Sequence, residues 1–402
     1  MNFSDLPQPR PLPFSGHLQR WGSSPLSLIE EGAALGQLFG LQLGLRTVVG
    51  YSPAWNKRLL SDLTTFRSAG SFSAVVPYLS GGVILTDAPG HGPRRQTMNP
   101  GFGKKHLELL QARIVSALEQ HNRQALSAPE FDALAWADGA VLAMLNAAYF
   151  SGEFPQELMH AFLAPLRQPF PTPAWPRPLL FARFDAELRR LAGRRLREGG
   201  DDLLSLLARL PGGVREARIS LAAGHDTTTH TLAWATWFLA GHPEWQAPEH
   251  HRAVIKETLR LYPPGWMGSR RLAHDTEFGG VTLPKGALAL YSPYLSGRDP
   301  LLWERAAEFW PLRWQAGFKP PAWAYLPFGG GERLCLGMHL ANLMLETALG
   351  SLPPLSAVRG DPTPRPGVTL GPAGPLRVRA RDEGPPTSRG GGCDIRTVED
   401  IT

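Results

Sequence analysis

Of the two cysteines in this 402-residue chain, Cys335 lies within the segment Phe328-Gly-Gly-Gly331-Glu-Arg333-Leu-Cys335-Leu-Gly337. A cysteine placed just after a glycine cluster and just before a helical pattern sits where backbone amides and a helix N-terminus stabilise a thiolate. Such a thiolate is a nucleophile or a metal ligand. The glycines let backbone approach a flat, bulky group, Phe328 can pack beside the sulfur, and Arg333 offers a cation to an acidic edge of that group. The segment lacks the Gly-Lys-Ser/Thr ending of a phosphate loop, and no second cysteine lies near enough for zinc or an iron–sulfur cluster. A cysteine that merely fills the core is the competing reading.

A second polar cluster, Gly224-His-Asp-Thr-Thr-Thr-His230, interrupts a long apolar helical pattern over 214–240. Hydroxyls and an acid in such a helix are costly unless they are bonded back to its carbonyls or used. His225 and His230 are five apart, the wrong spacing for two metal ligands on one helix face. Glu257 and Arg260 stand at i, i+3 and can form a charge-assisted pair. His250-His251 reads as a solvated loop.

The elements that must hold these residues are mainly helical. Helical spacing predicts helices over 54–62, 105–127, 131–150, 155–166, 181–197, 201–210, 214–240, 249–261 and 337–349. Short strands are expected around 38–50, 269–292 and 356–379, after an extended proline-rich arm at 8–16 and an amphipathic helix. Pro263-Pro264 stops the helix before it, and 43 glycines and 39 prolines predict many turns without reaching a low-complexity chain. No repeat or linker divides 1–381, so one domain is expected there. Residues 382–402, with Gly-Pro-Pro, Gly-Gly-Gly and Cys393, read as a disordered tail.

Composition excludes several classes. Two cysteines cannot staple a small secreted scaffold, the N-terminus lacks the order of a secretory signal, and the apolar runs fall short of about 20 residues. No transmembrane helix and a cytoplasmic location are expected, with peripheral membrane contact when a lipophile is taken up. The net charge of +6 favours an acidic partner. The basic run 189–197 reads as a solvated helix face, since no aromatic interleaving accompanies it to suggest nucleic acid.

Phe328-x-x-Gly331-x-Arg333-x-Cys335-x-Gly337 resembles the haem-ligand signature of the cytochrome P-450 superfamily. Ala223-Gly224-His-Asp226-Thr227-Thr228 resembles its oxygen-activation motif and Glu257-Thr-Leu-Arg260 its Glu-x-x-Arg motif, in the same order along the chain. The resemblance implies a mainly α fold with small β-sheets, a single haem domain and haem b. It implies Cys335 as the axial iron ligand, Asp226 and Thr227 as the proton-delivering pair, and Ala223 and Gly224 as the small residues that leave room for oxygen. His91, Arg95, Arg270 and Arg333 match the positions that meet the haem propionates. Glu257 and Arg260, joined by Arg313 in a segment like the family's around Trp303, Phe309, Pro311 and Trp314, match a structural cluster.

By position relative to these motifs, Phe72, Val75, Val76, Tyr78, Leu79, Leu221, Ala222, Trp266, Met267, Val368 and Thr369 are expected to face the substrate. They are nearly all apolar and include no charge to anchor a carboxylate, which favours a large neutral lipophile. The run 257–272, the segment Leu290-Tyr-Ser-Pro-Tyr294 and the shortened stretch between Trp245 and Glu257 are similar to bacterial carotenoid ring hydroxylases of that superfamily, which implies hydroxylation of a β-ionone ring. No room remains for a flavin or iron–sulfur module, so ferredoxin and ferredoxin reductase are the expected electron donors, docking near Arg94, Lys104 and Lys105. The alternatives are a terpenoid- or fatty-acid-oxidising or peroxide-driven relative, and a haem sensor or carrier without turnover.

Overall fold

The computed structural model describes residues 2–381 apart from 170, 171 and 316. The tail expected at 382–402, with Cys393, lies outside the described residues. The chain begins with α1 (Leu18–Ser23), α2 (Pro25–Ala33), the hairpin β1 (Leu38–Gln42) and β2 (Arg46–Gly50), α3 (Pro53–Ser61) and β3 (Phe66–Arg67). There follow α4 (His91–Phe102), α5 (Lys104–Ala125), β4 (Glu130–Asp132), α6 (Ala133–Phe150), α7 (Gln156–Leu163), α8 (Pro178–Glu198), α9 (Leu203–Leu207) and α10 (Gly213–Gly241). Then come α11 (His251–Leu261), β5 (Gly268–Leu272), β6 (Thr276–Phe278), β7 (Val281–Leu283), β8 (Leu288–Tyr291), α12 (Pro293–Ser296), α13 (Met338–Gly350), β9 (Leu355–Gly360), β10 (Pro364–Pro366), β11 (Leu370–Pro372) and β12 (Leu376–Ala380).

α10 is the axle of the helical part, packed against α6, α8, α9, α11 and α13. Its apolar residues Leu221, Leu232, Ala233 and Trp234 and its polar residues Glu216, His225 and Asp226 are all buried, because neighbours cover it on several sides. α6 also has the length and apolar content of a membrane span, yet it is mostly buried between α10 and α5. Leu145 and Leu232 are each fully or almost fully buried, and such burial stabilises by about 1.5–3 kcal/mol per side chain.

Beside the helices lies a sheet in the order β1-β2-β8-β5-β3, in which β2 and β8 run parallel and Val49 pairs with Leu290. A second sheet, β4-β12-β9, is antiparallel throughout. Side chains set the helix starts: Asp132 accepts from the Leu134 amide at the head of α6, and Asp202 from the Ser205 amide at the head of α9. The cap explains one departure from the sequence reading. The chain before Asp132 is extended and pairs with β12, so the helix expected from 131 begins at Ala133.

The larger departure is α4, which is not among the expected helices and which carries Pro93 and Pro100. Pro93 falls in the first turn, where the amide has no partner within the helix, and Pro100 falls near the end, where one lost bond is tolerated.

Candidate active site

The cysteine loop is shaped by its glycines. Gly329 and Gly331 hold φ of +71° and +59°, and a Cβ on Gly331 would lie 2.8 Å from the Leu60 carbonyl of α3. The Cys335 amide donates to the Phe328 carbonyl at 2.8 Å, folding the loop back on itself just before α13. Cys335 is exposed, and what it faces is a cavity of about 370 Å³. The same cavity is lined by Ala223, Gly224, Thr227 and Thr228 of α10. A Cβ on Gly224 would meet nothing nearer than Leu145 at 3.9 Å, so the helix groove is open there. Desolvation pushes the thiol pKa up, while the Gly337 amide and Arg95 pull it down.

Four basic side chains from three segments gather on this cavity: His91 and Arg95 of α4, Arg270 of β5 and Arg333 of the cysteine loop. Arg333 donates to the Thr86 carbonyl at 2.7 Å, and Arg95 to the Leu334 carbonyl at 2.5 Å. Burial pushes Arg333 down to about 10, with Arg270 adding to the effect. His91 is held at about 4 by burial first and then by Arg333 and Arg95. Three nitrogens in this group, His91 Nδ1, Arg270 Nε and Arg333 Nε, are buried without a hydrogen-bond partner. A thiol, an open helix groove and under-neutralised arginines around one cavity fit a flat metallo-macrocycle with acidic edges, which is haem.

Thr227 is on the wall, with its hydroxyl donating to the Ala223 carbonyl at 2.8 Å, the bonded-back arrangement open to a helix hydroxyl. Asp226 is not on the wall. It is buried behind the helix, 3.3 Å from His225 Nδ1 and 3.7 Å from Arg167 Nε, and its Oδ2 has no partner. Asp138 of α6 completes this group, 3.1 Å from His225 Nε2 and 2.6 Å from Arg167 Nη1. Asp138 and Arg167 escaped the sequence reading, since nothing along the chain links them to residue 225.

Glu257, Arg260 and Arg313 come together as expected. Arg260 grips both oxygens of Glu257 at 3.0 and 2.8 Å, and Arg313 Nε lies 3.1 Å from Oε1. The Trp310 amide and the Trp314 indole also donate to Glu257, at 2.9 and 2.8 Å.

Several expectations need correction. Of the residues expected to face a substrate, Met267 alone lines the cavity. Phe72 and Trp266 both pack on Trp21, Val76, Tyr78, Leu221 and Ala222 are buried in the main core, and Leu79 packs against that core. Val75 points outward, Val368 is half-buried, and Thr369 sits 2.9 Å from His230 Nδ1. The short turns Phe72–Val75 and Pro77–Leu79 direct these side chains away from the cavity, which is lined instead by Val83, Ile84, Leu85 and Ile219. A buried carboxylate, Glu216, also stands there. Arg94 is no free surface cation, because it pairs with Glu216 at 2.6 Å, whereas Lys104 and Lys105 are exposed. His251 is buried in the first turn of α11, not in a solvated loop, and Arg195 of the basic run is buried against Asp202.

The family model described as Cytochrome P450 matches residues 249–352. Cyclooctatin synthase of Streptomyces melanosporofaciens is 28% identical over 92% of this chain and 94% of its own length. Cyclooctat-9-en-7-ol 5-monooxygenase of the same organism is 28% identical over 90% of each chain. Among solved structures, cyanobacterial CYP120A1 with retinoic acid bound matches at a TM-score of 0.80 over 93% of this chain and 99% of its own, at 20% identity, which shows a shared fold.

Proposed function

The chain belongs to the cytochrome P450 superfamily and is a haem b monooxygenase, and from that premise we propose that it hydroxylates a large lipophilic substrate with a β-ionone-like or other cyclic terpenoid ring. The observation that carries the reading is the placement of Cys335 and the open α10 groove at Ala223 and Gly224 on one cavity. Haem held there by Cys335 would supply the activation of dioxygen, with the Cys335 thiolate as the electron-rich ligand. Cys335 holds the metal as a thiolate, with the Gly337 amide and Arg95 offsetting the desolvation of its charge. Arg95, Arg270, Arg333 and His91 receive the two acidic edges, giving the unpartnered nitrogens their acceptors. Phe328 shields the sulfur side. Thr227 releases its bond to the Ala223 carbonyl to hold a water or oxygen at the wall, and Asp226 carries protons to it from behind the helix.

The substrate side is mostly apolar, formed by Val83, Ile84, Leu85, Ile219 and Met267; Glu216 among them is an anion paired with Arg94, and no unpaired arginine stands there to hold a carboxylate. That favours a neutral ring compound over a fatty acid. Cyclooctat-9-en-7-ol in a relative's name is a neutral cyclic alcohol and agrees with that; retinoic acid in the solved structure is a ring lipophile that carries a carboxylate. Carotenoid ring hydroxylation is the finer proposal, resting on the resemblance of 257–272 and 290–294. Residues 1–381 act as one haem domain in the cytoplasm, with ferredoxin and its reductase as donors and the exposed Lys104 and Lys105 as part of the docking face.

The test is optical. The reduced protein under carbon monoxide should show the red-shifted thiolate Soret band, and its absence would remove Cys335 as ligand. Titrating the ferric protein with β-carotene, cyclic terpene alcohols and fatty acids should produce the spin-state change with the ring compounds. A response to fatty acids alone would overturn the substrate reading.

A further inference from the structure

The reading above uses only one end of the charge group behind α10. His225 is fully buried, and its two ring nitrogens lie 3.3 Å from Asp226 Oδ1 and 3.1 Å from Asp138 Oδ1. The Asp138 contact is bent away from the ring N–H direction, so it is an ion pair and not an aligned hydrogen bond. Asp138 Oδ2 in turn lies 3.6 Å from Nε2 of His160, whose side chain is 53% exposed. From solvent inward the order is therefore His160, Asp138, His225, Asp226, and then Thr227 on the cavity wall.

Hydroxylation balances as RH + O2 + 2 electrons + 2 protons giving ROH + H2O, so two protons must reach the cavity in each turnover. We propose that His225 is the proton store that recharges Asp226, that Asp138 keeps its imidazole charged and oriented, and that His160 opens the group to solvent; the proposal rests on the monooxygenase reading above. In the transfer, the Nδ1–H bond of His225 breaks and an O–H bond forms on Asp226. Asp226 passes a proton on through Oδ2, the oxygen without a partner. The imidazole left behind keeps its Nε2–H and is bare at Nδ1; a half-turn of the ring brings the bare nitrogen to the Asp138 side, where His160 or surface water gives up the proton that recharges it. No electron moves. His225, Asp138 and His160 touch no reacting atom and act as positioning residues through Asp226.

Charge balance alone does not explain the imidazole. Arg167 already offers each carboxylate a cation, and a second arginine would close the balance but could never give up a proton, whereas an imidazole between two carboxylates can. Burial pushes His225 down, yet Asp138 and Asp226 outweigh it and raise its pKa. Burial pushes Asp138 up, yet His225 and Arg167 hold it at about 2, so it remains an anion. The other titratable neighbours are His230, held at about 4 mainly by burial, and His121 of α5, also lowered by burial. Both are pushed towards the neutral form, whereas His225 alone of the three is pushed towards the charged one.

Two variants, His225→Gln and Asp138→Asn, test this with two readouts. In the diamagnetic ferrous carbonyl state, 15N-histidine NMR should show both His225 ring nitrogens protonated at pH 7, and Asp138→Asn should lower that pKa by at least one unit. In turnover, His225→Gln should keep oxygen uptake but lose about tenfold in product per oxygen, with hydrogen peroxide as the sink, a larger solvent deuterium effect and no alkaline decline in coupling. Unchanged coupling and isotope effect in a variant that keeps the thiolate Soret band would overturn the store. If His225→Gln loses that band, the half-exposed His160→Gln decides: a raised isotope effect supports the route, and none overturns it. A parent protein without the band would instead overturn the monooxygenase reading, while the NMR readout would still report on the buried imidazole.

Discussion

Replacing Glu257 by alanine should cost this protein its folded cysteine side. The carboxylate receives five donors: two from Arg260, one from Arg313, the Trp310 amide and the Trp314 indole. Glu257 is fully buried and both arginines are buried, so its removal strands two cations away from water. Breaking a buried pair from one side costs about 3–5 kcal/mol. Arg260 keeps the carbonyls of Gly297, Ala306 and Glu308, which holds the estimate near the lower end for that residue. Arg313 keeps only the Arg305 carbonyl. Losing the two tryptophan donors adds about 1 kcal/mol each, for a total of about 5–7 kcal/mol. Against the 5–15 kcal/mol typical of whole proteins, that leaves Glu257→Ala marginal or unfolded. Glu257→Gln keeps one acceptor oxygen but turns donors towards donors, and should lose about half as much. Guanidinium unfolding followed by circular dichroism, together with the carbon monoxide band of protein supplied with haem, measures both. A Glu257→Ala protein within about 1 kcal/mol of the parent, with its band intact, would refute the reasoning.

Thr227→Ala removes a hydroxyl already satisfied by its own helix, so stability should change by less than about 1 kcal/mol while product per oxygen falls; normal coupling would take Thr227 out of the proton path. His91 is neutral in the folded, haem-free protein down to about pH 4 and charges near 6.5 when unfolded. The unfolded state thus binds the extra proton in between, so stability is full above 6.5 and declines as pH falls towards 4, by about 3 kcal/mol in all. Denaturation at several pH values should show that slope, and an equal slope in His91→Gln would count against it. Arg94→Ala strands the buried Glu216 carboxylate and should cost about 3 kcal/mol in thermal or denaturant unfolding, and a loss under 1 kcal/mol would show the pair to be incidental. Reversing Lys104 and Lys105 to glutamate should slow reduction by an acidic ferredoxin at low salt and not at high salt, and equal rates at both would move docking elsewhere.

The cysteine loop was legible because its demands are local: glycines at positive φ, a thiol, and a helix start within ten residues. Glu257 and Arg260 were legible because they share a helix face. α4 was not, because His91-Gly-Pro-Arg-Arg-Gln-Thr-Met-Asn-Pro-Gly-Phe102 has few apolar residues and so no helical period, and its two prolines are tolerated only because they fall near its ends. The substrate wall was misjudged at Phe72, Val76 and Leu79 because irregular turns have no period from which a facing direction follows. The group around His225 draws on α6, α10 and the turn carrying Arg167, and Arg94 meets Glu216 across a similar distance along the chain. Such pairs depend on tertiary packing alone. The same holds for His251, where burial and the Gln246 carbonyl overrode a polar local sequence.

The order in which the cavity walls occur along the chain bears on how the protein is made. His91, Arg95, Tyr149, Gly224 and Thr227 lie in the first part of the sequence, whereas the stretch from Leu326 to Leu345 that closes the opposite wall comes near the end of the described residues. During synthesis the earlier elements leave the ribosome first and begin to pack. α10 must therefore wait with its groove uncovered, and β2 without its parallel partner β8, until more than 70 further residues have been translated. A cell short of haem would extend that wait, since of the three arginines Arg333 alone has a carboxylate partner, Asp87 at 3.3 Å, among the described residues. Chaperone demand and inclusion-body formation during expression should then track haem supply more closely than growth temperature.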